Sequence, residues 1–296
     1  MENLRGSLLM VASMLAFALE DMFIKSLSET LSTGQILLSI GGPGALIFAI
    51  ATMASGRSLR DRALYTVPVL LRSFSELATA ILYITALAFI PLAQASAIQQ
   101  ATPLAVTMGA ALYLKEQVGW RRWSAIAVGF VGVLIVVRPG ADFSVLALLA
   151  VFSVFWLAVR DVITRRVPAS VSSLQLATFG FAAIVPAGLI MLAVMPAPLK
   201  APDLGEWLGI TGAVMSGVFG YYMLIGAVRT GEMSVVTPFR YTRLIFALIL
   251  GWIAFGEAPD GATLIGGAVI VGSGLYMLWR QALVSRRARR NSVVRR

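Results

Sequence analysis

The sequence predicts an all-α integral membrane protein, ten transmembrane helices arranged as two inverted five-helix repeats around a central cavity. Three observations predict it. Hydrophobic residues make up 58% of the chain and charged residues 13%, about half the charged share of an ordinary soluble domain, so lipid is the solvent for most of it. The apolar residues fall into ten stretches, each close to the ~20 residues needed to cross a hydrocarbon core. Finally, one long pattern occurs twice, and with five helices per half, an odd number, the second copy must lie inverted across the membrane.

The predicted spans are 6–27, 35–54, 66–88, 92–114, 121–138, 143–164, 172–195, 206–228, 234–255 and 261–279. The first ends with Glu20, Asp21 and Lys25 and has no small-residue cleavage site, so it reads as a retained helix rather than a signal peptide. The second holds Gly41, Gly42 and Gly44 around Pro43, residues that permit close helix contact and bending. The third carries Arg72 and Glu76, and the fourth Gln99, Gln100 and Pro103. The sixth ends in Arg160, Asp161, Arg165 and Arg166, read as snorkelling residues that set topology. The eighth carries Gly217, Gly220 and Tyr221, and the ninth Arg240, Tyr241 and Arg243.

The repeat lies in residues 92–136 and 234–277. Each copy has a helix with a polar cluster mid-span, an acidic residue at its end (Glu116, Glu257), a short loop and a glycine-bearing helix (Gly129 and Gly132; Gly266, Gly267, Gly272 and Gly274). The predicted domains are 1–140 for the first repeat, 141–281 for the second and 282–296 for a basic tail.

Net charge is +10, but the bases sit between apolar runs, which suits membrane lipid and argues against nucleic acid. They gather at alternate connections: Arg5; Arg57, Arg60 and Arg62; Lys115, Arg121 and Arg122; Arg160, Arg165 and Arg166; Arg229; and the tail with Arg286, Arg287, Arg289, Arg290, Arg295 and Arg296. The opposite connections hold Lys25, Arg138 and Lys200. Because positively charged loops resist translocation, both termini are expected on the cytoplasmic side of a bacterial inner membrane. The chain has no cysteine and no histidine, which removes disulfides, thiolate nucleophiles, imidazole bases and the commonest metal ligands. No metal and no cofactor is expected. No GxxxxGK[ST] phosphate loop is present, so nucleotide drive in cis is excluded.

Taken together, the segments ALAFIPLAQASAIQQATPLAVTMGAALYLKE and GAVRTGEMSVVTPFRYTRLIFALILGWIAFGE resemble the EamA-type families of the drug/metabolite transporter superfamily, and the likeness runs nearly the whole length. The resemblance implies ten helices in two inverted repeats, a central cavity and transport of metabolites such as amino acids, nucleobases, vitamins (riboflavin-like) or S-adenosylmethionine.

Charged groups at mid-bilayer cost roughly 2.5–3.5 kcal/mol on insertion scales, so each should face a cavity or a partner. Arg72 and Glu76 lie four apart on one helix face; they either close on each other or leave Glu76 as a proton, cation or ammonium site. Arg240 and Arg243 share a face beside Tyr241 and need an anion, either Glu76 or Asp21, or a substrate carboxylate or phosphate. Gln99 and Gln100 occupy the matching place in the first repeat, as substrate ligands or as inter-helix glue, and Pro103 should free a carbonyl near Gln99. Asp21, one turn before Lys25, is either half of a rim ion pair or an outer gate. Phe74, Tyr83, Trp156, Tyr221, Tyr222, Phe239 and Tyr241 are the aromatic residues able to line a cavity, Trp156, Tyr221 and Tyr241 being the candidate substrate contacts. The expected function is a secondary carrier of a small organic solute, with Glu76, Asp21 and Pro103 as coupling or gating residues and proton coupling through Glu76 or Asp21. A membrane-embedded enzyme acting on a lipid-linked substrate is the rival reading, and a channel or scaffold the third.

Overall fold

The computed structural model describes residues 2–294 apart from 117, 139–143 and 231. The predicted boundary at 140/141 and the tail residues Arg295 and Arg296 therefore lie outside the described residues. Within them the chain is all helical: α1 (Glu2–Leu27), α2 (Thr33–Ala54), α3 (Val67–Phe89), α4 (Leu92–Gln99), α5 (Thr102–Tyr113), α6 (Trp120–Val137), α7 (Val145–Thr164), α8 (Ser173–Val194), α9 (Leu204–Thr230), α10 (Met233–Val236), α11 (Thr242–Phe255) and α12 (Gly261–Val294). Short 3-10 turns occupy Arg62–Tyr65 and Thr237–Tyr241. Among the described residues nine helical stretches are long and apolar enough to cross a membrane.

Boundaries follow from chemistry at the ends. Ser32 accepts the amide of Gln35 to start α2, and Ser172 forms a reciprocal capping box with Gln175 to start α8. Each glutamine also ties down a distant connection: Gln35 holds the backbone of Lys200, and Gln175 that of Ser58. Gly56 and Gly256 adopt positive φ at the ends of α2 and α11, where a side chain would be strained.

Two of the predicted helices are interrupted. The stretch predicted at 92–114 breaks between α4 and α5, and each piece, 8 and 12 residues, is too short to cross alone. Pro103 lies in the first turn of α5. Proline has no N–H, and the Gln99 carbonyl thus left without its helical partner accepts the Thr102 hydroxyl at 2.6 Å. The stretch predicted at 234–255 breaks in the same way, with Pro238 opening the 3-10 turn that carries Arg240 and Tyr241.

The strongest packing partners are α1 with α9, α2 with α8, α6 with α12 and α3 with α7. Where α6 crosses α12, an added Cβ on Gly132 would lie 2.9 Å from the Gly266 carbonyl oxygen, and one on Gly266 would lie 2.7 Å from that of Gly132. The two backbones touch there, as small residues allow in a lipid-solvated bundle. The largest buried cluster joins apolar side chains from both parts of the sequence, among them Ile36, Leu87, Ile98, Leu104, Ala147, Ala213 and Ile270.

Candidate functional site

Eight charged residues sit inside the bundle on α1, α3, α7 and the 237–243 segment: Glu20, Asp21, Arg72, Glu76, Arg160, Asp161, Arg240 and Arg243. They form two networks. In the first, Arg160 of α7 reaches across to Glu76 of α3 at 3.2 Å and also holds its neighbour Asp161 at 2.7 Å. Beside this pair Arg72 donates to the Leu176 carbonyl of α8 at 3.2 Å, and its Nε has no partner. Gly180 of α8 leaves room against both Arg72 and Glu76. In the second network Asp21, 2% exposed, accepts Arg243 at 2.6 Å and the Tyr83 hydroxyl at 3.1 Å, both on Oδ2. The Arg243 guanidinium lies over the Phe17 ring at 5.6 Å and near Tyr83 at 5.9 Å.

Both networks draw on α3, which supplies Arg72 and Glu76 toward one end and Tyr83 toward the other. Glu76 with Arg160 and Asp21 with Arg243 each join a residue before position 90 to one after position 159. Holding such pairs in a low-dielectric interior costs desolvation, which only good geometry and added hydrogen bonds offset.

Three pairings differ from the sequence reading. Arg72 and Glu76 do not close on each other; packing of α3 on α7 and α8 offers Glu76 a guanidinium and Arg72 a carbonyl. Asp21 does not pair with Lys25; their shared face points Asp21 inward, while Lys25 at the helix end bonds Glu257 at 3.0 Å and the Ile90 carbonyl at 2.8 Å. Arg160 and Asp161 are not rim residues, because they lie a full turn inside the end of α7 and belong to the first network.

The remaining predicted residues divide. Gln99 and Gln100 are 7% and 6% exposed; Gln99 donates to Ser153 of α7 at 3.4 Å, and the Gln100 amide nitrogen has no partner. Tyr221 meets Phe48 edge-on and lies within electrostatic range of Arg72, Glu76, Arg160 and Asp161. Tyr241 is buried, its hydroxyl unpaired and pressed where a Cβ on Gly274 would stand. Trp156 instead stacks edge-on with Phe74 and Phe155, both more than half exposed, on the outer side of the α3–α7 seam. Arg240 has neither a hydrogen bond nor an ion pair among the described residues. A recess of about 400 Å³ opens between α3, α5, α6 and α7, lined by apolar side chains such as Leu71, Ala105, Met108, Phe130 and Val154 and by none of the predicted polar residues.

A bundle built this way, helical throughout with paired carboxylates and arginines at its centre, has clear relatives. The profile of the EamA-like transporter family matches residues 4–138 and again residues 144–279. The chain belongs to the EamA-like transporter family. It is 30% identical to a riboflavin transporter of Vibrio cholerae over 74% of each chain. It is 27% identical to a pseudopaline exporter of Pseudomonas aeruginosa, covering 90% of this chain and 93% of that one. An S-adenosylmethionine uptake transporter of Rickettsia bellii is 27% identical over 66% of each. A solved structure 22% identical, aligned over 93% of this chain and 97% of its own with a TM-score of 0.61, shares the fold.

At the two ends of this EamA-like bundle sit further charge contacts. Glu257, at the end of α11, receives Lys25 on one oxygen and the Leu92 amide at 2.8 Å on the other. At the opposite end Glu116, after α5, pairs with Arg165, after α7. The repeat pattern marks both glutamates, but their charged partners, Lys25 and Arg165, come from the first helices of the other half, which no local spacing reveals.

Proposed function

We propose that this small-molecule transporter works by alternating access between two inverted five-helix repeats, residues 1–140 and 141–281, with α4 and α5 together making the tenth crossing and 282–296 a basic tail. The solute passes through a central cavity between the halves, both termini face the cytoplasm of a bacterial inner membrane, and no covalent chemistry is performed. The observation that carries this reading is the buried charge system shared by the two halves, in which Glu76 with Arg160 and Asp21 with Arg243 pair across the interface. Such groups survive at membrane depth where they line a solute path.

The exchange of partners supports the inverted arrangement. Helix α1 packs on α9 and α11 as α7 packs on α3 and α5, while α2 and α8, and α6 and α12, pair with their own counterparts. The Ser-x-x-Gln starts of α2 and α8 repeat the same end chemistry. The solute is a small organic metabolite in the size range of riboflavin or S-adenosylmethionine, the cargoes named for two relatives. Arg72, Glu76, Gln99, Gln100, Tyr221, Arg240, Tyr241 and Arg243 line its path in this reading; Trp156 flanks it. Asp21, Glu76 and Pro103 serve coupling or gating, with Glu76 or Asp21 the proton acceptor if transport is proton-driven.

The test is uptake by the purified chain in proteoliposomes with a panel of amino acids, flavins, nucleobases and S-adenosylmethionine. Saturable uptake of at least one solute, suppressed by Arg160→Gln, is expected. Unitary ionic currents, or a bilayer that passes none of the panel, would sink the carrier reading. Uptake indifferent to Glu76→Gln at every pH would remove the proton role alone.

A further inference from the structure

The apolar recess between α3, α5, α6 and α7 takes no part in the two charge networks. Its floor is made of buried side chains, among them Ile98, Ala101, Ala105, Val133 and Val154. Its rim is Leu112, Tyr113 and Phe155, each more than half exposed. In a membrane-spanning bundle such an apolar rim faces acyl chains. A water molecule needs about two to four polar partners to reside in a cavity, and this lining offers almost none. Hydrocarbon is the filling that suits it.

The recess has a length and a direction. Along α7 its lining runs from Val151 to Ile163, about 18 Å at ~1.5 Å per residue, close to the ~15 Å that one leaflet's hydrocarbon spans. Along α5 it runs to Tyr113, the last residue of that helix. Both helices bring it to the same end of the bundle, where Glu116 pairs with Arg165. There the Arg166 guanidinium lies over the Tyr113 ring at 5.1 Å, and it has no hydrogen bond or ion pair among the described residues. That end also holds Lys115, Arg121, Arg122 and Arg165 against the single acid Glu116. Trp120 and Trp123, both exposed in the first turn of α6, are of the type that anchors helices at headgroup level. The corresponding turn of the second half differs, because its Glu257 and Asp260 are matched by Lys25 and Arg138. Of the two turns, only the one beside the recess carries an excess of bases.

We propose that the recess holds one acyl chain of an anionic phospholipid whose headgroup phosphate is taken by Arg166, a lipid site apart from the two charge networks. It does not depend on the transport reading above. Arginine suits the task because its planar fork donates bidentately to phosphate, and the Tyr113 ring beneath holds that fork at the mouth of the slot. The surrounding bases select an anionic headgroup over a net-neutral one. The slot itself selects for a chain, since nothing in its lining offers a polar group a partner.

The test is retention of lipid by the full chain purified in detergent and offered equal amounts of phosphatidylglycerol and phosphatidylethanolamine with the same acyl chains, counted by native mass spectrometry. One phosphatidylglycerol held in preference to phosphatidylethanolamine is the expected result. Arg166→Gln should reduce that preference about fivefold, the equivalent of the ~1 kcal/mol that one base contributes near an anionic surface, whereas Arg166→Lys should keep most of it. Ala105→Leu with Ala158→Leu fills the slot and should lower retention of both lipids. Ala127→Leu, on an exposed position of α6 outside the recess, should leave retention unchanged. Phosphatidylglycerol with a photoreactive diazirine on its acyl chain should crosslink to residues 98–113 and 151–163. Equal retention of the two lipids, a preference untouched by Arg166→Gln, or crosslinks spread evenly over the bundle overturns the proposal. Retention unchanged in a filled variant that elutes as folded, monodisperse protein overturns it as well. Should that variant not fold, the Arg166 pair and the crosslinks decide alone.

Discussion

At the residue scale, the most exacting contact is the meeting of Arg243, Tyr83 and Asp21. Removing one partner of a buried pair is strongly destabilising, because the other is left as an uncompensated charge, typically at a cost of about 3–5 kcal/mol. Asp21→Asn should therefore lower Tm well beyond Tyr83→Phe, which loses one hydrogen bond worth about 1 kcal/mol. The double variant Asp21→Asn with Arg243→Gln should recover part of the loss. Thermal unfolding of the four proteins closes the cycle, and strict additivity would show that the pair is not coupled. Asp260 is a second case, outside the membrane spans. Partial burial alone would raise its carboxyl, but hydrogen bonds from Thr263 and the Arg138 guanidinium beside it more than offset this and hold it below its ordinary value. A depressed carboxyl contributes stability above its unfolded pKa and loses it as pH falls through the folded value. Acidification below pH ~4, the region of an ordinary aspartate, should thus cost Asp260→Asn less than the unaltered chain, measured as Tm against pH.

At the scale of elements, Gly266 shows how closely the helices approach. A Cβ there would stand 2.5 Å from Val136 and 2.7 Å from the Gly132 backbone, which cannot move aside as a side chain can. Gly266→Val should part α6 from α12 and lower the yield of folded, monodisperse protein in size-exclusion chromatography, while Gly272→Ala, with open space around it, should be silent. The extents of these helices were legible in the sequence because hydropathy and the intervening turn residues are local signals. The predicted 35–54 and 172–195 fall within two residues of α2 and α8. Pro103 marked its break, since a missing N–H acts within four residues. The pairing of charges was legible only in part: Asp21, one of the anions expected for Arg243, is its partner, but the other pairings were not. Arg72 and Glu76 share a face by spacing, but their neighbours are set by which helices abut, and Arg160 was hidden by its company of basic residues at a helix end. Ser32 with Gln35 and Ser172 with Gln175 are a further repeat signal carried in the letters, because a cap acts within three residues.

For the molecule as a whole, charge contacts sit at both ends, and a role for them as closures is open to test. The Glu257 carboxylate joins Lys25 and the Leu92 amide at one end, and Glu116 joins Arg165 at the other. The first is mostly buried and the second about half exposed, with side-chain exposures of 13% and 19% against 49% and 48%. Exposed pairs contribute little, about 0–1 kcal/mol, so the two ends should respond differently. Glu257→Gln should open the Lys25 end to a membrane-impermeant thiol reagent aimed at a cysteine introduced at Ser28, and Glu116→Gln should change labelling there little. The chain contains no native cysteine to compete. Equal labelling in both variants would mean that neither contact acts as a closure.

The crossing of partners between the two parts of the sequence also bears on how the chain is born. Helices α1, α2, α3 and α6 find their main neighbours in α9, α8, α7 and α12, which the ribosome makes later. Until then Asp21 and Glu76 wait in the bilayer without Arg243 and Arg160. The early helices can be inserted by the translocon but not assembled, and a nascent chain stalled near its middle is left as loose, charged spans that membrane quality-control proteases can recognise. Assembly of this protein can therefore begin only once α7 and α8 are made, and the α6–α12 contact is the last of the main ones to become available.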